Sequence, residues 1–379
     1  MTTIVLYSPY WRNMGGGERY LLQLASSLSK MPGAEVTALS EFPEITKDRL
    51  ELFFMLDLSN IDYRIFRDGT RTLRESIRGA DIFIPLSNYR YVRAAPKNYI
   101  QALQVPYASI NLLTVSKKII RWNLSEGVKD LSRLQLLYRT RKNSTLTLTN
   151  SGFVHDSLLQ GFGVKSSVLY PPIEDFLAEG LPKRRTILSV GRIFRGLYND
   201  KRYDVLTKAF QKLSNHVQDW EYHIVGSVSS DKKSQAYLEE LKKANKDFPV
   251  FFHANASHES LKTLYNEATI YWHAAGYGVD EDREPERTEH FGMSVVEGLS
   301  AKCIPIIVNK GGLKEIISPG KNGFLWETVD ELVQRTLQVA NMKEDSLMEI
   351  RKNARQRYSD FSLNRFEERV SEIFLPFLG

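Results

Sequence analysis

The chain has 379 residues, of which 42% are hydrophobic and 25% charged, with a net charge of +6 and a single cysteine, Cys303. That length suits two domains of ordinary size, and one cysteine excludes an internal disulfide. No apolar run approaches the roughly 18–20 residues of a membrane span. The opening text MTTIVLYSPYW has no basic leader and reads as a first strand, so a cytoplasmic location is expected.

In chain order, short apolar or β-branched runs alternate with helix-length amphipathic segments. Strands are predicted at TIVLY (3–7), EVTAL (35–39), DIFIP (81–85), YIQAL (99–103), TLTLT (145–149) and SVLY (167–170). A second series follows at TILSV (186–190), YHIVG (222–226), PVFFH (249–253), TIYWHA (269–274), IPIIV (304–308) and GFLW (323–326). Such alternation predicts parallel sheets covered by helices on both faces. Pro171, Pro172 and Pro182 mark a linker between the two series. The expected architecture is α/β, with two Rossmann-like, doubly wound domains facing across a cleft. Residues 1–178 make the first domain and 184–360 the second. Residues 361–379 make a C-terminal helix that can pack back on the N-terminal domain.

Four stretches carry candidate chemistry. Gly15, Gly16 and Gly17 lie between the first strand and a helix, where glycine permits a tight loop and a helix start offers N–H groups to an anion. The stretch is neither a dinucleotide fingerprint nor a P-loop, and a plain βα turn is the alternative. Arg192 follows the first strand of the second series and Lys201 precedes its helix, a fork donor and a point charge suited to a diphosphate. RTEHFGMSVVEGLS (287–300) places Glu289 before a turn and Glu297 one turn into a following helix. Backbone N–H groups at Phe291, Gly292 and Met293 sit at that helix start, and a carboxylate such as Glu297 can accept from both hydroxyls of a ribose. His273 ends a strand beside the same presumed site.

Other features are read as structural. Asp280, Glu281 and Asp282 belong to a charged loop, GYGVDEDREPERTEH (276–290), read as solvated with a cover over a bound ligand as the alternative, and no metal is expected. His253 and His258 lack zinc-site spacing, Cys303 lies in a core run, and no Ser-His-Asp arrangement is apparent. Between 115 and 142, Lys117, Lys118, Arg121, Lys129, Arg133, Arg139, Arg141 and Lys142 face only Glu126 and Asp130, with apolar residues interleaved. A helix with one packed and one solvated face is the plain reading. Peripheral contact with an anionic membrane is the alternative. Nothing resembles a nucleic-acid recognition motif.

The text EHFGMSVVEGLSAKCIPIIV, followed by GGLKEII and NGFL, resembles the signature of retaining glycosyltransferases of family 4, which have the GT-B fold. The GR…KRYDVL and GGGER stretches, TNSGFVHDSL and VLYPPIE extend the resemblance from Gly15 to about Leu325. It implies a UDP- or GDP-linked sugar donor held mainly by the second domain, with a glycan or lipid-linked acceptor on the first. No cofactor beyond the donor is implied. Arg192 and Lys201 would neutralise the diphosphate, Glu289 would hold sugar hydroxyls and Glu297 the ribose. Gly15 and Gly16 would approach the diphosphate or acceptor. Two departures stand out. Where relatives carry a His-x-Pro segment, this chain reads Gln104-Val105-Pro106, and the 276–290 passage is longer than usual. A sugar-nucleotide epimerase and a non-catalytic nucleotide-sugar or glycan binder remain as alternative readings.

Overall fold

A computed structural model of the chain describes residues 1–66, 70–109, 124–196, 198 and 200–378. The expected basic stretch 115–142 therefore lies outside the described residues up to position 123. The chain forms two compact units, Met1–Pro172 with Asn364–Gly379, and Ile173–Leu363.

In the first unit, strands β1 (Thr2–Tyr7), β2 (Ala34–Ser40), β3 (Ile61–Ile65), β4 (Ile82–Pro85), β5 (Asn98–Leu103), β6 (Leu146–Thr149) and β7 (Ser167–Val168) form one sheet. Its order is β3-β2-β1-β4-β5-β6-β7 and every pairing is parallel; Val5, for example, pairs with Thr37 on one side and Phe83 on the other. The helices are α1 (Gly16–Ser29), α2 (Lys47–Phe54), α3 (Thr70–Ile77), α4 (Leu124–Asn143) and α5 (Gly152–Phe162). Local chemistry sets their ends. Ser151 caps α5 by accepting from the Val154 N–H, and Gly163 ends it in the left-handed region.

The second unit repeats the design. Strands β8 (Arg184–Val190), β9 (Glu221–Gly226), β10 (Val250–Ala254), β11 (Ala268–His273), β12 (Ile304–Val308) and β13 (Phe324–Trp326) run in the order β10-β9-β8-β11-β12-β13, all parallel. Helices α6 (Tyr203–Leu213), α7 (Lys232–Ala244), α8 (His258–Glu267), α9 (Met293–Ser300), α10 (Val329–Ala340) and α11 (Glu344–Tyr358) cover it. Every residue of β11 and β12 is buried, as expected for strands covered on both faces. The last helix, α12 (Leu363–Leu378), belongs to the first unit, where Phe366, Val370 and Phe374 join the core of Ile4, Leu6, Tyr20 and Leu24.

Two parallel α/β sheets, of seven and six strands, match the expected fold class. Three local expectations change. Strand β3, IDYRI, was not foreseen: it is an edge strand, and Asp62 and Arg64 break its apolar run. The proline stretch after 171 is packed, with Ile173 and Phe176 buried and the Phe176 ring 5.0 Å from that of Tyr265. The charged 276–290 loop is not simply solvated. Glu281 accepts from the Gly311 N–H at 2.8 Å and pairs with Lys314 at 2.7 Å, and Thr288 and Pro285 are buried.

Candidate active site

A doubly wound sheet binds ligands outside the carboxyl ends of its strands, where the strand order reverses. In the second unit that point lies between β8 and β11. Chain leaving β8 passes through Gly191 and Arg192, and β11 ends in His273.

Lys201 reaches this edge from the residues just ahead of α6. Its alkyl stem lies across Gly191 so closely that a β-carbon there would sit 2.8 Å from Cε and 3.0 Å from Cγ. Glycine is therefore required for the lysine to cross. The Lys201 ammonium donates to Glu289 in a short ion pair, and both side chains are about one-seventh exposed. The His273 Nε2 lies 3.1 Å from the same Glu289 oxygen. A carboxylate can only accept, so Nε2 carries the proton and Nδ1 the lone pair. Burial pushes the Glu289 carboxyl upward, but the Lys201 charge and the His273 N–H outweigh it and hold the group well below the usual carboxylate range. Burial holds the imidazole of His273 below its ordinary value, against the opposing pull of Glu289. At neutral pH Glu289 is thus a carboxylate and His273 a neutral imidazole.

Glu297 connects to this trio through a ladder of rings. Tyr265 donates its hydroxyl to Glu297 at 2.7 Å, its ring stacks on Tyr271 at 6.0 Å, and Tyr271 stacks on His273 at 6.4 Å. Helix α9 starts between the two glutamates. Gly292 stands before it in the left-handed region (φ 115°), and no side chain caps the helix. A β-carbon on Gly292 would meet Leu313 at 2.7 Å, so glycine is needed for space as well as conformation. The positive end of the helix dipole at such a start favours an anion. Phe291 is buried beside it and Met293 is half-buried. The turn before α9 is held from behind, where the Gly312 N–H donates to the Glu289 carbonyl at 2.8 Å. The GGLKE text carried that signal, since a β-carbon on Gly311 would come within 2.4 Å of the same carbonyl.

Lys201, Glu289 and His273 are brought into contact, and Glu297 is linked to them by the rings. Arg192 makes none of these contacts. It stands exposed at the end of β8, its guanidinium 5.3 Å from the centroid of Phe194. Gly15 and Gly16 lie in the first unit, where the Gly15 N–H donates to Glu18 at 2.9 Å. That carboxylate is buried, accepts also from Ser8 at 3.4 Å, and is pushed upward by burial. Gln104, in place of the absent histidine, follows β5, and its Oε1 lies 2.9 Å from where a β-carbon on Gly17 would stand. Tyr265, which holds Glu297, was not foreseen as a site residue, while Gln104 stands beside the glycine loop of the first unit. Nothing in the local sequence marked Tyr265. Among the described residues no group of His, Cys, Asp or Glu is arranged to hold a metal ion, and no helix is long and apolar enough to cross a membrane.

This pair of parallel α/β sheets is the GT-B glycosyltransferase fold. A glycosyltransferase from Rickettsia africae superposes over 100% of this chain and 98% of its own, with a TM-score of 0.72 and 19% identity. Anabaena HepE in complex with UDP superposes over 99% of this chain and 100% of its own, at 0.70 and 15%. Residues 174–357 match the family model for glycosyl transferases group 1. The match spans just under half of the chain and lies within the second unit, which is similar to that family. Among curated proteins it resembles the GDP-Man:Man(3)GlcNAc(2)-PP-Dol alpha-1,2-mannosyltransferases of Xenopus laevis and Homo sapiens, each at 26% identity. The matches cover 69% and 76% of this chain but 57% and 63% of those relatives' lengths.

Proposed function

We propose that the protein is a retaining hexosyltransferase that moves a sugar from a nucleotide-diphosphate donor to a hydroxyl on a glycan or lipid-linked acceptor. The observation that carries this reading is the contact of Lys201, Glu289 and His273 beside the uncapped start of α9. In this reading Lys201 and the α9 N–H groups at Phe291, Gly292 and Met293 take the diphosphate, and the exposed Arg192 folds onto it when donor binds. Glu289 and His273 face the sugar hydroxyls, and Glu297, steadied by Tyr265, takes the ribose. The first unit, residues 1–178 in the expected division, takes the acceptor, with Gly15 and Gly16 in its glycine loop. The basic 115–142 stretch gives peripheral contact with an anionic membrane.

The reaction needs no protein base. The bond from the anomeric carbon to the phosphate oxygen breaks and a bond to the acceptor oxygen forms on the same face, while the acceptor proton passes to the departing phosphate. Positioning and charge stabilisation lower the barrier. The relatives' names make GDP-mannose the first donor to test, with UDP-glucose second, since HepE is also known in complex with it. Thermal shifts with a panel of nucleoside diphosphates and their sugars identify the donor, because a ligand that binds only the folded state raises its stability. Turnover with mixed acceptors follows. Stabilisation without turnover would favour the non-catalytic binder, and no stabilisation by any member would sink both readings.

A further inference from the structure

The first unit carries a basic cavity at the end of its sheet opposite the glycine loop, which follows the carboxyl end of β1. Lys97 precedes β5 and Thr145 precedes β6, so the cavity opens at the amino ends of these strands. It measures about 300 Å³ and is lined by Arg93, Lys97 and Arg139 around Tyr91 and Tyr99, with Asn143 beside them. No acid lines it among the described residues, and none of the three cations forms an ion pair there. Other arginines of this protein sit in ion pairs, Arg195 with Glu240, Arg202 with Asp204 and Arg355 with Asp175. Three unpaired positive charges converging on one concave site repel one another, and an anion offsets that repulsion.

The cavity is also rigid at its back. Tyr91 stacks flat on Tyr99, with centroids 5.0 Å apart and planes 12° apart, and the Arg139 guanidinium lies 5.7 Å from the Tyr91 centroid. Tyr99 is fixed in turn by donating its hydroxyl to the Val92 carbonyl at 2.8 Å. The Arg139 guanidinium thus lies beside a ring that the stack positions, while Arg93 and Lys97 are exposed and free to close on a ligand.

We propose that this cavity binds a phosphate monoester. A monoester dianion offers three oxygens to three cationic donors, whereas a carboxylate offers two. The cavity exceeds a phosphate in size, leaving room for the group the phosphate carries. Two sources share this chemistry: a free sugar or polyol phosphate, and the headgroup of a phosphatidic-acid-like lipid. The site stands on the first unit alone and does not depend on the donor reading.

The test uses the full chain. Binding of glycerol phosphate is measured by calorimetry, and co-sedimentation is measured with phosphatidylcholine vesicles with and without phosphatidic acid. Arg93→Ser and Lys97→Gln change exposed side chains and leave the Tyr91–Tyr99 stack alone. Each is expected to weaken binding roughly tenfold, the loss of one charge-assisted hydrogen bond. Lys201→Ala, in the other unit, is expected to leave binding unchanged. Binding of glycerol phosphate assigns a free ester; binding only to phosphatidic-acid vesicles, weakened by Arg93→Ser or Lys97→Gln, assigns the lipid. The proposal is overturned by no binding to either probe, by binding insensitive to both first-unit variants, or by binding lost in Lys201→Ala instead.

Discussion

Lys201 reaches Glu289 only because residue 191 has no side chain, since a β-carbon there would overlap the lysine stem. The stem is flexible, so Gly191→Ala need not unfold the unit: it moves the ammonium off the carboxylate. A displacement of about 1 Å at such a site can cost about 10²-fold in rate. Gly191→Ala should therefore lose turnover by about that factor, with a lowered melting temperature as well, because φ 157° strains a residue that carries a β-carbon. Glu289→Gln, which keeps the shape and removes the charge, should lose at least as much. Normal turnover in both variants would separate this cluster from the chemistry. The pH response belongs to the same residues. His273 has a depressed folded pKa, so the unfolded chain binds its proton first as pH falls, and the stability it contributes is lost below about 6.5. The slope from one such group reaches at most about 1.4 kcal/mol per pH unit. His273→Gln should flatten the wild-type decline between neutral pH and about pH 5 in denaturant titrations. Glu289, also depressed, acts in a lower window, giving up its contribution only as pH falls below about 4. An unchanged slope in His273→Gln would mean that the imidazole is not held neutral.

Among the elements, α4 departs most from what its sequence suggested. The apolar residues interleaved with its charges were expected to pack inward. Leu136 and Leu137 do so, but Val128, Leu131 and Tyr138 are 62%, 49% and 64% exposed. Conversely Asp130 and Arg133, counted among the charges, are buried and paired at 3.2 Å. Positions 128, 131 and 138 share one stripe of a 3.6-residue helix, and the exposed Lys142 follows one turn after Tyr138. An apolar stripe edged by lysine is the pattern of a helix that lies in a membrane interface. Replacing Val128, Leu131 and Tyr138 together by serine should abolish sedimentation with anionic vesicles at low salt, and should leave glycerol phosphate binding intact. Equal sedimentation of this variant and the wild type would discard membrane contact by α4. The contrast with other elements shows what was legible. Strands such as IPIIV could be read because both faces are buried and the whole run is apolar. Inward and outward faces of α4 could not, because a buried ion pair inverts the usual rule. The Lys201–Glu289 contact was only half legible: each residue stood out in its own stretch, but their direct pairing depends on the crossing at Gly191. The tie from Glu281 to Gly311 spans thirty positions and leaves no local trace.

At the scale of the whole molecule the chain completes its second unit before it finishes its first. It leaves the first unit at Pro172, builds Ile173–Leu363, and returns with α12. The return matters energetically. Phe366, Val370 and Phe374 are at most 3% exposed, and the Tyr20 ring packs edge-on against Phe366 at 6.0 Å. Burial of each such side chain contributes roughly 1.5–3 kcal/mol, and three together about 5–9 kcal/mol. The net stability of a domain is about 5–15 kcal/mol. Ending the chain after Ser362 should therefore unfold the first unit while the second, continuous in sequence, keeps its own core. Calorimetry of the truncated protein should show one transition lost and one retained, and limited proteolysis should cut first within residues 1–172. Because Lys201, Glu289, His273 and Glu297 all lie in the second unit, nucleotide-induced stabilisation should survive the truncation while transfer to an acceptor disappears. A protease-resistant first unit without α12 would show that its core closes without those three side chains. Loss of nucleotide binding on truncation would instead mean that the donor site needs more than the second unit.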